Sequence, residues 1–379
     1  MFKYIKKMEE SFFELELIKN INTENKSNNF IISPIGLEII ISLCSNGAEG
    51  LTQQEMITLL QYENIEEVNS KSKEIISELK EVVKIANGIL TKIKPKENFI
   101  IKGEEFEANI DLLKNYNSVN KWVKNKTSNK IDKIIDNISP DVMMVLLNAI
   151  YFEAFWKIKF DIHLTYFREF FNIDDSKVYI DLMFLNGELL NYYENEDIKA
   201  VKLDFDIKDN YINAIFILPK REDFLEQNIN YIIDNLNNDT FYNIIDKLKD
   251  ESSKTKVNFF IPKFFLEYEI NLVQILKDMG MSKAFTKEAE FKGINDKLNL
   301  FVNQVLQKNY IKVNEEGTQA VSSTELEIIL ESYTEKDQTA KDFIANRPFL
   351  FIIRNDKCMK GHDIIFFSKI CKLKKKVFD

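Results

Sequence analysis

Residues 314–331 read NEEGTQAVSSTELEIILE. Two acids precede Gly317, and a run of mostly small residues without glycine or proline follows from Thr318 to Thr324. At alternate positions Thr318, Ala320, Ser322, Thr324, Leu326, Ile328 and Leu330 share one face of an extended chain. Gln319, Val321, Ser323, Glu325, Glu327, Ile329 and Glu331 share the other. Because strand side chains alternate between faces, this is a period-two segment with one face small and then apolar. It admits two readings. One is an ordinary edge strand leaving a sheet. The other is a loop able to become a strand, its small side chains sliding between existing strands without opening a cavity. Beyond it, ESYTEKDQTAKD (331–342) is polar and loop-like.

The flanks are strand and helix material. Upstream, KVNFFIPKFFLEYEI (256–270) reads as strand and NLVQILKDMGMSKAF (271–285) as a helix ended by Gly280. Downstream, RPFLFIIRN (347–355) and DIIFFSKI (363–370) form a closing hairpin. VMMVLLNAIYFEAFW (142–156) is a continuous apolar run, the signature of a strand buried on both faces. Strands follow at 200–206 and 211–218, the second closed by Pro219, and a helical stretch lies near 222–250.

The first third reads as helices. Phe2, Ile5, Phe12, Phe13, Leu15, Leu17 and Ile18 suit an amphipathic helix. Ser33-Pro34 opens an apolar helix that runs to Gly47, proline being favoured in a first turn. Thr52 with Glu55 predicts a capping box opening the next helix. Residues 65–80 are polar and helical, and 117–135 place Val119, Trp122, Val123, Ile131 and Ile134 at helical spacing. Helices mainly first and strands mainly later imply an α+β fold with large, mostly antiparallel sheets.

The chain has 379 residues, 45% of them hydrophobic and 29% charged, which excludes a disordered protein. A formal net charge of −9 argues against a nucleic-acid partner, which needs a basic face. Lys3, Lys6, Lys7, Glu9 and Glu10 interrupt any signal-peptide core, so a cytoplasmic location is the default and export by an unconventional route stays open. The stretch Ile35–Cys44 is too short to span a membrane and carries Glu38. Three cysteines (Cys44, Cys358, Cys371) imply no disulfide framework. Two histidines, His163 and His362, leave little for a triad or metal centre, and neither a phosphate loop, a CxxC pair nor GxSxG occurs. The expectation is no catalytic site, no metal and no cofactor. Sequons at Asn25, Asn125 and Asn238 are expected to be unused, and KLKKK (372–376) reads as a solvated end.

Motifs in order along nearly the whole chain resemble those of the serpins, the serine protease inhibitor family, and in particular its intracellular ovalbumin-like members. They are FIISPIG (30–36) with NGAEGLTQQEM (46–56); Asn120, Trp122, Val123, Thr127 and Ile131; NAIYFEAFWKIKFDIHLT (148–165); IPKFFLEYEINL (261–272) with LKDMGMSKAF (276–285); NEEGTQA (314–320); and FIANRPFLFIIR (343–354). The resemblance implies one domain over 1–379, with three sheets, about nine helices and an exposed reactive-centre loop at about 315–342. It implies a monomer that meets a target serine protease as a suicide substrate, forming a covalent acyl-enzyme before the loop enters the central sheet. A non-inhibitory serpin (storage, carrier or chaperone) and a cross-class cysteine protease inhibitor are the alternatives.

Carried over residue by residue, the hinge is Glu315, Glu316, Gly317, Thr318, Ala320, Ser322 and Thr324. The family's spacing from the hinge glycine puts the scissile bond at Glu331–Ser332, which would suit a protease preferring acidic residues. Because the stretch to Pro348 is long, Leu330 or Tyr333 is the alternative, pointing to a chymotrypsin-like or cathepsin-G-like target. The buried polar cluster that gates the sheet, the shutter, is carried over as Ser33, Asn148 and Gln307. Two departures fall here: Gly36 and Gln307 stand where the family has serine and histidine. Near the C-terminus Ser368-Lys369 replaces its Gly-Arg.

Overall fold

The computed structural model describes residues 11–80, 82–136, 138–208, 211–318 and 336–374. Among these are nine α-helices: α1 Phe13–Glu24, α2 Pro34–Ser45, α3 Gly50–Leu59, α4 Ile65–Leu79, α5 Glu97–Glu105, α6 Tyr116–Lys126, α7 Leu225–Asp234, α8 Asn238–Lys249 and α9 Val273–Asp278. The strands are β1 Phe30–Ile32, β2 Val83–Thr91, β3 Asn109–Leu112, β4 Met144–Phe152, β5 Thr165–Phe171, β6 Lys177–Glu194, β7 Ile198–Asp204 and β8 Ile212–Pro219. They continue with β9 Lys254–Pro262, β10 Phe264–Asn271, β11 Val302–Val313, β12 Lys341–Ile344, β13 Phe349–Asn355 and β14 Ile364–Ile370. The chain sorts into two compact units, one of residues 1–20, 32–152 and 267–310, the other of 21–31, 153–266 and 311–379.

The first unit holds a five-stranded sheet in the order β10-β11-β4-β2-β3. Every residue of β4 is buried, as its unbroken apolar run requires. It pairs antiparallel with β2 and parallel with β11, Val302 to Tyr310 lying beside Met144 to Tyr151. All twelve residues of α2 are buried, with Ser33 as N-cap and Pro34 in the first turn.

Two helix boundaries differ from expectation. α3 begins at Gly50 instead of Thr52, because Thr52 Oγ1 accepts from the Glu290 amide and Glu55 from the Ser282 and Lys283 amides. The expected capping box is thus spent on tertiary contacts. α6 stops at Lys126, where Ser128 and Asn129 take positive φ. Ile131 and Ile134 nonetheless pack with Val119 and Val123 in one apolar cluster, so the helical spacing reported burial and not helix.

The second unit holds nine strands, β1-β14-β13-β8-β7-β6-β9-β12 with β5 beside β6. Among the described residues hydrogen bonding therefore gives two continuous sheets where three were expected. The merger comes from the eighteen-residue β6, whose first residues pair with β5, whose middle from Leu182 to Asn191 pairs with β9, and whose last residues pair with β7. The register slips between Leu185 and Glu188, where Gly187 has φ 64°. The closing hairpin is present as antiparallel β13 and β14. The stretch 256–270 divides at Lys263 into β9 and β10, which belong to different sheets. Residues 222–250 form two helices, the second opened by a capping box of Asn237 and Thr240. Lys369 on β14 is wholly buried, its ammonium held by Asn22 Oδ1 (2.8 Å), Asn230 Oδ1 (3.2 Å) and the carbonyls of Asn25 and Lys26.

Candidate functional site

A row of side-chain amides crosses the five-stranded sheet. Asn87 of β2, Asn148 of β4 and Gln307 of β11 occupy adjacent register positions. Gln307 Nε2 donates to Asn148 Oδ1 (2.7 Å), and Asn148 Nδ2 donates to Asn87 Oδ1 (2.7 Å). Gln307 also grips the start of α2, accepting from the Ser33 amide and donating to the Ser33 carbonyl, both at 2.9 Å. All four residues are buried, so each bond replaces one that water would otherwise make. The three expected shutter residues, Ser33, Asn148 and Gln307, thus meet, and Asn87 joins them.

Gly36 explains how a glutamine fits. A Cβ at Gly36 would lie 2.7 Å from Asn148 Oδ1 and 3.0 Å from Ser33 Oγ. Its absence leaves Asn148 free to turn its oxygen to the longer Gln307 amide, while the Gly36 N–H still donates to Ser33 Oγ at 3.1 Å. The two departures from the family's pattern are therefore spatially coupled.

The hinge lies in the second unit. Asn314 organises a tight turn: its Oδ1 accepts from the Glu316 and Gly317 amides, and its own amide donates to the Gly317 carbonyl. Glu315 is buried, accepting from Thr165 Oγ1 at 2.8 Å and pairing with Lys263 at 3.0 Å. Glu316 is exposed, but its carbonyl accepts from the Trp156 amide. Gly317 pairs antiparallel with Phe155, and a Cβ there would lie 2.1 Å from the Ala154 carbonyl oxygen. Only glycine permits that approach. Thr318 is fully buried; its amide donates to the Ala154 carbonyl (2.9 Å) and its Oγ1 accepts from the Ala154 amide (3.0 Å). Gly317 and Thr318 are thus already bonded, antiparallel, to the residues that follow β4.

After the loop the chain is fastened again at Asp337. Its amide donates to Asn186 Oδ1, its carbonyl accepts from Asn258 Nδ2, and its carboxylate accepts from Lys256 and from the Thr339 amide and hydroxyl. These bonds hold its carboxyl down at about 2. Lys341 and Asp342 belong to β12, so the expected loop of 315–342 is anchored from both ends. Ala320, Ser322, Thr324, Leu330, Glu331, Ser332 and Tyr333 lie outside the described residues.

Asn87, Asn258 and Asp337 escaped sequence reading. Asn87-Gly88 looks like a turn, and only a buried asparagine with no local backbone partner would have hinted otherwise. Burial pushes the thiol of Cys44 up and that of Cys371 up to about 12, opposite to the shift that activates a nucleophile. Among the described residues no cluster of three His, Cys, Asp or Glu could hold a metal, and no helix is long and apolar enough to cross a membrane.

The model of the family described as "Serpin (serine protease inhibitor)" matches residues 8–373. Intracellular coagulation inhibitor 2 of Tachypleus tridentatus is 31% identical over 90% of this chain and 86% of its own length. Antichymotrypsin-2 of Bombyx mori is 27% identical over 90% and 91%. Among solved structures, the thermophilic serpin tengpin in its native state aligns with TM-score 0.80 and 28% identity over 95% and 92%. Serpin48 of Tenebrio molitor aligns with TM-score 0.78 and 27% identity over 96% of both chains. The chain therefore belongs to the serpins, a family mainly of protease inhibitors and not of catalytic enzymes.

Proposed function

We propose that this chain, as one monomeric domain over 1–379 and without a cofactor, inhibits a serine protease as a suicide substrate. The protease serine attacks the Glu331 carbonyl, the bond to Ser332 breaks, the new amine of Ser332 leaves, and an ester joins Glu331 to the enzyme. Release from the Asp337 anchor then lets the hinge continue into the five-stranded sheet as a strand antiparallel to β4 and β11. Insertion of a serpin's reactive loop is a known instance of strand addition, in which main-chain hydrogen bonds supply the driving force. Speed matters: insertion must distort the bound protease before water hydrolyses the ester.

The observation that carries this reading is the antiparallel seating of Gly317 and Thr318 beside Phe155 and Ala154. Continuing that register brings Ala320 opposite Phe152, Ser322 opposite Ile150, Thr324 opposite Asn148 and Leu326 opposite Leu146. The inner face is small over this first stretch, and a hydroxyl arrives at the amide row, where the Gln307–Asn148 bond must open. Roughly a dozen new backbone hydrogen bonds at about 1 kcal/mol each would drive the step. An acidic Glu331 suits a protease with a basic specificity pocket. A cytosolic site of action completes the proposal, supported by the resemblance to intracellular serpins.

Incubation with serine proteases of acidic, aromatic and basic preference, read on a denaturing gel, tests it. A protease-sized upward shift that survives heating, together with a released fragment beginning at Ser332, supports the proposal. Clipping without a shift would make the chain a non-inhibitory serpin. A fragment beginning elsewhere would move the scissile bond.

A further inference from the structure

Asn87 ends the amide row, and it also lines a cavity of about 210 Å³ within the first unit. The residue is 2% exposed, yet its Nδ2 donates to no group among the described residues, while its Oδ1 is taken by Asn148. A donor that meets no protein acceptor and stays open to the cavity is available to a ligand. Ile39 of α2, Leu79 of α4, Val83 and Ile85 of β2, and Phe106 supply apolar walls. Lys84 and Lys126 stand at the same cavity and make no ion pair among the described residues, whereas Lys80 is held by Glu107 at 2.8 Å. β3 pairs only with Gly88 to Thr91, so the edge of β2 beside this cavity has no strand covering it among the described residues.

We propose that this cavity binds a small carboxylate with an apolar body, of the size of an eight-carbon acid. At about 30 Å³ per water the volume holds about seven waters, which is room for such a chain and not for a drug-sized ligand. The two lysines supply the opposite charge, the apolar walls take the hydrocarbon, and Asn87 Nδ2 supplies a hydrogen bond. A ligand held by Asn87 also fixes the amide that Asn148 leans on, and so stiffens the row that must open before a strand can enter. That second effect rests on the inhibitory reading above; the binding does not.

The test is calorimetric titration of the full chain with octanoate, with octanamide as the uncharged control. Saturable one-site binding is expected, weakened about tenfold or more in Lys84→Glu/Lys126→Glu, since each exposed charge contributes modestly and the two add. Ile76→Trp, which fills the cavity without altering charge, should remove binding as well; thermal melts confirm that the variants fold. Hydrogen exchange should slow in β2 and β4 on addition of octanoate. Equal binding of octanamide and octanoate, unchanged affinity in both variants, or protection confined to other strands would overturn the site. Octanoate that binds but leaves the rate of protease trapping unchanged would overturn the coupling alone.

Discussion

Replacing Thr318 with arginine separates cleavage from inhibition. Thr318 is fully buried, and its hydroxyl lies 3.0 Å from the Ala154 amide and 3.2 Å from its carbonyl oxygen. The buried hinge carboxylate, Glu315, is already engaged by Thr165 and Lys263, and Glu316 is exposed to solvent. Before cleavage the variant can release residue 318 from Ala154 and keep the guanidinium in water, whereas insertion must bury it unpaired, at a cost of about 3–5 kcal/mol. Each 1.4 kcal/mol slows insertion tenfold, so the step becomes about 10²- to 10³-fold slower and hydrolysis of the ester overtakes it. In a stoichiometric titration the wild type should consume about one inhibitor per protease, and Thr318→Arg more than about ten, with the loop still cut. Thr318→Ser keeps the hydroxyl and should retain trapping. Gln319→Arg, on the opposite face by strand alternation, should also trap. If Thr318→Arg traps protease near one to one, insertion of the hinge is not the mechanism.

Other outcomes follow from the same geometry. Gln307→Ala strands the Ser33 amide and the Asn148 oxygen in the core and should cost about 3 kcal/mol in denaturant unfolding; a loss under about 1 kcal/mol would show that the row is not holding the sheet. Gly36→Ser should destabilise by crowding Asn148, and adding Gln307→His should recover part of the loss; simple additivity would refute their coupling. Nicking the loop should raise the thermal midpoint by about 20 °C or more, and an unchanged melt after a verified cut would point to a non-inhibitory serpin. Burial lowers the Lys369 pKa from its ordinary 10.5 to about 8. Between those values the unfolded chain holds a proton the folded chain has lost, so stability should rise from about pH 8 to 10, and Lys369→Met should abolish that rise. A slope that persists in Lys369→Met would assign it to another group.

Local rules explain which elements were legible. Ser33-Pro34, the unbroken run of β4 and the closing hairpin each declare themselves within a few residues, because capping and strand alternation act between near neighbours. β2 was missed because Asn87-Gly88 sits mid-strand, where asparagine and glycine ordinarily mark a turn. There Gly88 lets the Asn109 carbonyl come close, and Asn87 serves the amide row. The capping box expected at Thr52 failed for the converse reason, its two side chains being claimed by amides at 282, 283 and 290.

The sequence alone determined the two-residue period of the segment after Gly317, the Ser-Pro helix start and the lack of a GxSxG, phosphate-loop or CxxC motif. These depend on side-chain type and on spacing of two to four residues, which the chain carries in any context. It could not say that β4 lies beside β11, that Asn87 completes the row from Gln307, or that Asp337 fastens the loop's far end. Those pairings join residues 61 to 159 positions apart, and they are chosen by which buried faces and amides satisfy one another once the chain has collapsed. Gly36 shows the division most plainly: by sequence it is a lost serine, and in the fold it is the space that Asn148 needs to reach Gln307.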